Sequence, residues 1–259
     1  MTAKLKTVKV PSVRDRVGNQ EWQVRVDLAA AYQLAAQMRW IDLIYTHFSA
    51  RIPGTEHLLI NAYGLMFDEI TASNLVKIDL DGRIVDDPLE YGINQAGYVI
   101  HSCVHKARPE IACVIHTHTR AGVAVSAMKC GLLPISQHAM RVQAELTYHD
   151  YEGIALEMDE QTRMARDLGK SSKAMILRNH GLLALGDSVR EAFEVMYYLD
   201  CACQIQIDAM AGGMENVLLM SERAAATADE QFHRTDRDAQ RKDWPALLRM
   251  LERRGVRYQ

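Results

Sequence analysis

The sequence predicts an α/β protein, and three observations point there. Short apolar runs of strand length alternate with longer segments whose apolar residues recur every three or four positions. The 259 residues are 48% hydrophobic and 24% charged, which is enough apolar material for one large core. No repeat, low-complexity tract or linker divides the chain, so one domain with terminal extensions is expected.

The elements follow in order. "EWQVRVDLAAAYQLAAQM", residues 21–38, carries helical spacing, and the polar residues before it read as an arm. "THFSARI", "HLLINA" and "LVKIDL" read as strands, separated by the turn segments "PGTE" and "LDG". "NQAGYVIHSCVHKARP" reads as a helix that stops at Pro109. "IACVIHTH" is a strand, and "TRAGVAVSAM" a helix with Thr119 as its N-cap. Residues 131–150 read as irregular. "DEQTRMARDLG" is a helix ended by Gly169, and "KAMILRNHGLLALG" is a strand, a tight turn and a second strand. "SVREAFEVMYYLDCACQIQIDAM" is a long helix, followed by charged helix and coil.

The bulk numbers exclude several functions. A formal charge of −3 gives no basis for a nucleic acid or an acidic membrane as partner. No apolar run approaches the roughly 18–20 residues of a bilayer span. The opening "MTAKLKTVKVPSVRDR" is basic and lacks the apolar core of a secretory signal. Five cysteines, an odd number in mostly apolar settings, read as free thiols in a reducing compartment. A cytoplasmic location is therefore expected.

Chemistry concentrates in the histidines. In a strand, residues i and i+2 share a face, so His116 and His118 of "VIHTH" project together. Such a pair is either a metal site or ordinary packing. His180, in the "NHG" turn, is a third candidate, and only the fold can bring it to the pair. Three neutral imidazoles with a vacant position suit a catalytic divalent ion. Zinc takes such ligands at about 2.0–2.1 Å, and iron also fits three nitrogens.

"VIHTHT", followed about sixty residues later by "LRNHG" and preceded by "ARPE", resembles the class II aldolase/adducin family over residues 22–212. The resemblance leaves 1–21 as an N-terminal arm. It leaves 213–259 as a helical extension packing on the domain or a neighbouring subunit. It implies a single three-layer α/β/α domain around a central mixed, mostly antiparallel sheet. It further implies a homotetramer with active sites near subunit interfaces. His116, His118 and His180 would hold a divalent metal, most simply zinc, with iron or manganese as alternatives. In catalytic relatives that ion polarises a ketone or enediolate of a small sugar phosphate.

The segments "DLIYTHFSARIPG", "EITASNLVKIDLDG", "HSCVHKARPEIACVIHTHT" and "ILRNHGLLALGDSVREAF" are more similar to the adducin head domain, an actin- and spectrin-associated branch. The family's aldolases carry a glutamate acid/base in a Ser-Ser-Glu-like step. Here "NQAGYVIH" puts Gln95 and Ala96 at the serines and Gly97 at the glutamate. Glycine transfers no proton. Of the aldolases' phosphate cradle, Ser49, Arg51 and Gly64 remain as substrate-binding candidates, while His47 and Tyr63 add bulk. His138 falls near a tyrosine that some aldolases supply from a neighbouring subunit, so His138 and Tyr63 are the candidate proton donors.

The expected function is thus a metal-dependent lyase, cleaving an aldol or removing a carboxylate from a small unphosphorylated carbonyl or acid substrate. A non-catalytic adducin-like module of the actin-binding kind and an iron-dependent oxygenase of keto acids are the alternatives. The chain ends without the long lysine-rich tail of animal adducins, so no membrane-skeleton role is expected.

Overall fold

The protein is described here by a computed structural model, which covers residues 10–153, 158–234 and 242–259. Helix α1 (Asn19–Gln37) precedes β1 (Phe48–Arg51), β2 (Leu58–Ile60), β3 (Val76–Ile78) and β4 (Ile84–Asp86). Helix α2 (Gln95–Ala107) leads into β5 (Cys113–Thr117), α3 (Arg120–Ser126), α4 (Gln137–Met140) and β6 (Leu146–His149). Then come α5 (Met158–Leu168), β7 (Ala174–Leu177), β8 (Gly181–Gly186), α6 (Val189–Met210), α7 (Glu222–Arg234) and α8 (Asp243–Arg253).

The strands form one eight-stranded sheet in the order β4-β3-β2-β1-β5-β8-β7-β6. Only β6 and β7 pair in parallel; the other neighbours are antiparallel. The alternation of side chains across the strands separates two cores. Cys113, Ile115, Ile176, Leu182 and Ala184 pack with Leu28, Leu34, Phe193 and Met196 of α1 and α6. Val114, Met175, Leu183 and Leu185 pack on the opposite face with Ile100 and Val104 of α2 and Met164 and Leu168 of α5. Helices therefore cover both faces of a mixed sheet, the three-layer α/β/α arrangement expected.

The helix starts follow their caps. Thr119 Oγ1 accepts from the Gly122 N–H at 3.2 Å, and Ser188 Oγ accepts from the Glu191 N–H at 3.2 Å. Gly169, at φ +64°, ends α5. Two strands differ from the sequence reading. β6 lies inside the stretch read as irregular, and β4 is a three-residue edge with Ile84 and Val85 exposed. Both sit at sheet edges, where a strand needs neither an apolar run nor strict alternation.

Two contacts fix the sheet to α1. The Tyr32 ring stacks on Phe48 at 4.6 Å, and its hydroxyl accepts from the Phe48 N–H at 2.6 Å, anchoring the start of β1. Arg25 is fully buried, yet donates to Glu21 at 3.0 Å and to the carbonyls of Leu75 at 3.0 Å and Ala72 at 3.3 Å. The C-terminal segment joins the same core: Trp244 packs on Phe193 at 5.7 Å, and the Ala72 N–H donates to the Tyr258 carbonyl at 2.7 Å. No helix among the described residues is long and apolar enough to cross a membrane. Because Arg25→Ala takes one of two cations from the buried Glu21 carboxylate, which keeps Lys77 at 2.8 Å, and strips two carbonyls of this donor, it is expected to cost about 3 kcal/mol. Urea denaturation measures that loss.

Candidate metal centre

The β5–β8 pairing assembles the site. Its register runs from Cys113↔Gly186 to Thr117↔Leu182, so β8 begins beside the end of β5 that carries the histidines. The β7–β8 connection turns through Asn179 at φ +57°, a left-handed backbone that asparagine tolerates well. A Cβ on Gly181 would stand 2.4 Å from the Thr117 carbonyl oxygen. Glycine is what lets the hairpin come this close to β5 and deliver His180.

His116, His118 and His180 each offer a ligand atom, and those atoms all lie within 4.8 Å of one another. The His180 ring centroid lies 4.9 Å from that of His116 and 4.8 Å from that of His118. The remaining nitrogens are oriented from behind. His116 Nδ1 donates to the Leu182 carbonyl at 3.0 Å, an acceptor only, and His118 Nδ1 donates to the Asp42 carboxylate at 2.8 Å. Both Nε2 atoms then carry lone pairs, and they face each other at 2.9 Å. Two converging lone pairs repel unless a cation or proton lies between them. The donor set therefore fits a divalent ion with three nitrogen ligands and positions left open.

A cavity of about 320 Å³ opens onto the triad. Asp42, Tyr45, His47, Asn94, Gly97, Ile100, Tyr151 and Gly153 complete its lining. Of the other residues singled out from the sequence, Ser49, Arg51, Tyr63, Gly64 and His138 lie outside this lining. Ser49 is buried against α2, its hydroxyl 2.6 Å from His101 Nδ1 and 2.9 Å from His105 Nε2. Arg51 donates to the His105 carbonyl at 2.7 Å. Tyr63 is exposed beside Gly64, which turns at φ +102°. The His138 ring lies 5.8 Å from Tyr198 on α6.

Gly97 does reach the cavity, and something occupies the room its missing side chain leaves. A Cβ there would lie 2.0 Å from His47 Nε2 and 2.2 Å from Cε1. The His47 ring stacks 5.8 Å from His116 and meets His101 edge-on at 5.3 Å. Burial pushes the pKa of His47 and His116 well below the usual imidazole value, with neighbouring histidines adding to the effect. Burial, then the His105 charge, lowers His101 to about 3; burial, then Arg51, lowers His105 to about 3. His180 falls to about 4 through burial and then His118. These imidazoles are neutral, the state that binds metal.

Sequence reasoning missed Asp42, which lies 76 positions from the histidine it orients. It also missed the pairing of His149 with Asp167 at 2.8 Å. Nothing in local spacing marks either partnership.

An α/β/α domain whose central strand and neighbouring hairpin bring three imidazoles together is the architecture of a known class. Residues 26–207 match the family described as Class II Aldolase and Adducin N-terminal domain. The chain is 56% identical to the aldolase II superfamily protein of Pseudomonas syringae; the match covers 96% of this chain and 99% of that one, with a TM-score of 0.90. The L-fuculose 1-phosphate aldolase of Glaciozyma antarctica is 26% identical over 98% and 97% of the two chains, with a TM-score of 0.80. Alpha-adducin of Rattus norvegicus is 43% identical over 247 residues, which are 90% of this chain and 34% of that longer protein. The chain belongs to the class II aldolase/adducin family.

The depressed histidine pKa values fix a pH response of the metal-free protein. The unfolded chain gains protons near pH 6.5, whereas the folded protein holds His180 neutral to about 4 and His101 and His105 to about 3. The unfolded state thus binds more protons as pH falls below 6.5, and stability drops. Each such histidine contributes up to about 1.4 kcal/mol per pH unit. Denaturation curves between pH 7 and 4.5 are expected to show this slope, and His105→Gln to reduce it.

Proposed function

We propose that this protein is a divalent-metal-dependent lyase acting on a small carbonyl or acid substrate without phosphate, by aldol cleavage or decarboxylation. The observation that carries the reading is the facing pair of Nε2 atoms on His116 and His118, each ring fixed by a partner on its other nitrogen, with His180 closing the set. A divalent ion held there supplies Lewis acidity toward a carbonyl or carboxylate oxygen. The protein's own share is to bind and orient. Asp42 and the Leu182 carbonyl hold two rings in the metal-binding tautomer, and Tyr45, Ile100 and Tyr151 offer the bound molecule apolar and phenolic wall surface. Gly97 supplies no acid or base. Zinc is the ion proposed, and the cytoplasm the location.

His138 and Tyr63 enter this reading only from a neighbouring copy, since neither lines the cavity of its own chain. Ser49, Arg51 and Gly64 lie outside the cavity lining of their own chain, so in this reading they too would meet substrate only across a subunit contact. A homotetramer is the assembly proposed, and sedimentation equilibrium reads its mass. A second reading, a binding module of the adducin kind, is favoured by the 43% identity to alpha-adducin and by the missing carboxylate at position 97.

Metal analysis separates the two. Protein purified in zinc-supplemented buffer is expected to carry about one ion per chain, and His116→Ala to carry none. Asp42→Ala should retain the ion with affinity weaker by about 10–100-fold. A wild-type chain that takes up no stoichiometric zinc, cobalt or manganese sinks the enzyme reading. A metal-loaded chain that cleaves and decarboxylates no hydroxy or oxo acid in a broad screen favours the binding module.

A further inference from the structure

The space beneath Gly97 distinguishes this site from one carrying a side chain there. A Cβ at position 97 would overlap the His47 ring at three atoms, all within 2.4 Å, so the two positions cannot both be filled. The ring stands against His116 and His101, in the layer between β1 and α2. The result is a floor of imidazole and glycine, without a carboxylate, below the triad. Among the described residues that line the cavity there is no lysine or arginine, and the single carboxylate, Asp42, is held by His118. The rest of the wall is Tyr45, Asn94, Ile100 and Tyr151, with the side-chain-free Gly97 and Gly153.

These features restrict the ligand. A divalent ion held by the triad would put excess positive charge at one point, and the described lining residues of this chain add no second cation; Arg178, in the adjoining pocket beside His180, is turned to the Met128 carbonyl at 2.8 Å and to the Tyr148 ring. A phosphate on the far end of a substrate would meet apolar, phenolic and amide groups of this chain and no lysine or arginine among the described lining residues. A carboxylate next to the ion meets no negative floor to repel it. We propose that the site takes small α-oxo or α-hydroxy carboxylates, chelated through the carboxylate and the adjacent oxygen, and that the interlock of His47 with Gly97 determines this preference. The proposal rests on the metal-centre reading above. It requires no proton transfer by His47, only that the ring fill the space.

The test uses the full chain loaded with Co(II), whose visible absorption reports both occupancy and added ligand. Oxalate serves as the planar α-oxo carboxylate probe and phosphoglycolate as the phosphate-bearing one. Oxalate is expected to bind at least about tenfold more tightly, a difference of about 1.4 kcal/mol. The double variant His47→Gly with Gly97→Glu places a carboxylate in the floor and should lower oxalate affinity by about tenfold or more while the cobalt spectrum persists. Where that variant does not fold, His47→Glu puts the charge in the same space by a single change. Equal or tighter phosphoglycolate binding by the wild type overturns the proposal, as does unchanged oxalate affinity in a folded, cobalt-loaded variant. Failure of the wild type to take up cobalt removes the metal centre itself, and this preference with it.

Discussion

The pairing of β5 with β8 is the constraint on which the rest depends. It places the strand that ends in two histidines beside the hairpin that carries the third, and it runs through the middle of the sheet. Both helical layers close on these two strands, with Ile115 and Ala184 turned to one layer and Val114 and Leu183 to the other. The site is thus an outgrowth of a ladder buried along its whole length. Burying about 25 cal/mol per Å² of apolar surface on each side makes that ladder costly to shift. Rigidity at the base is what fixes imidazoles at the edge.

The histidines themselves are arranged as a gradient of protein contact. His116 is almost fully buried and tied to a backbone carbonyl, His118 is half-buried and tied to a surface carboxylate, and His180 sits on a turn. Behind them lie His47, His101 and His105, all neutral, with Ser49 between the last two. An uncharged polar layer of this kind supports the rings without placing a competing charge near the centre. It also ties β1 to α2 through Ser49.

Much of the fold was legible in the sequence, because buried strands such as "CVIHT" and "GLLALG" and the amphipathic helices announce their periodicity. The edge strands β4 and β6 were not, since exposed or half-buried edges need no such signal. The i, i+2 spacing put His116 and His118 on one side of a strand, but His180 joined them only through the family pattern. Its approach depends on the absence of a side chain at Gly181, which no local rule reveals. The meeting of His47 with Gly97 was invisible for the same reason: it is a contact between residues fifty positions apart. The sequence showed each as a departure from an aldolase pattern, and only the fold shows that one accommodates the other.

That accommodation also couples the two positions. With the ring where it stands, even a methyl group at 97 would lie 2.0 Å from its Nε2, so a side chain there requires the ring to turn away or give place to a smaller residue. A change at either position is therefore felt at the other, and the pair behaves as a single unit of variation.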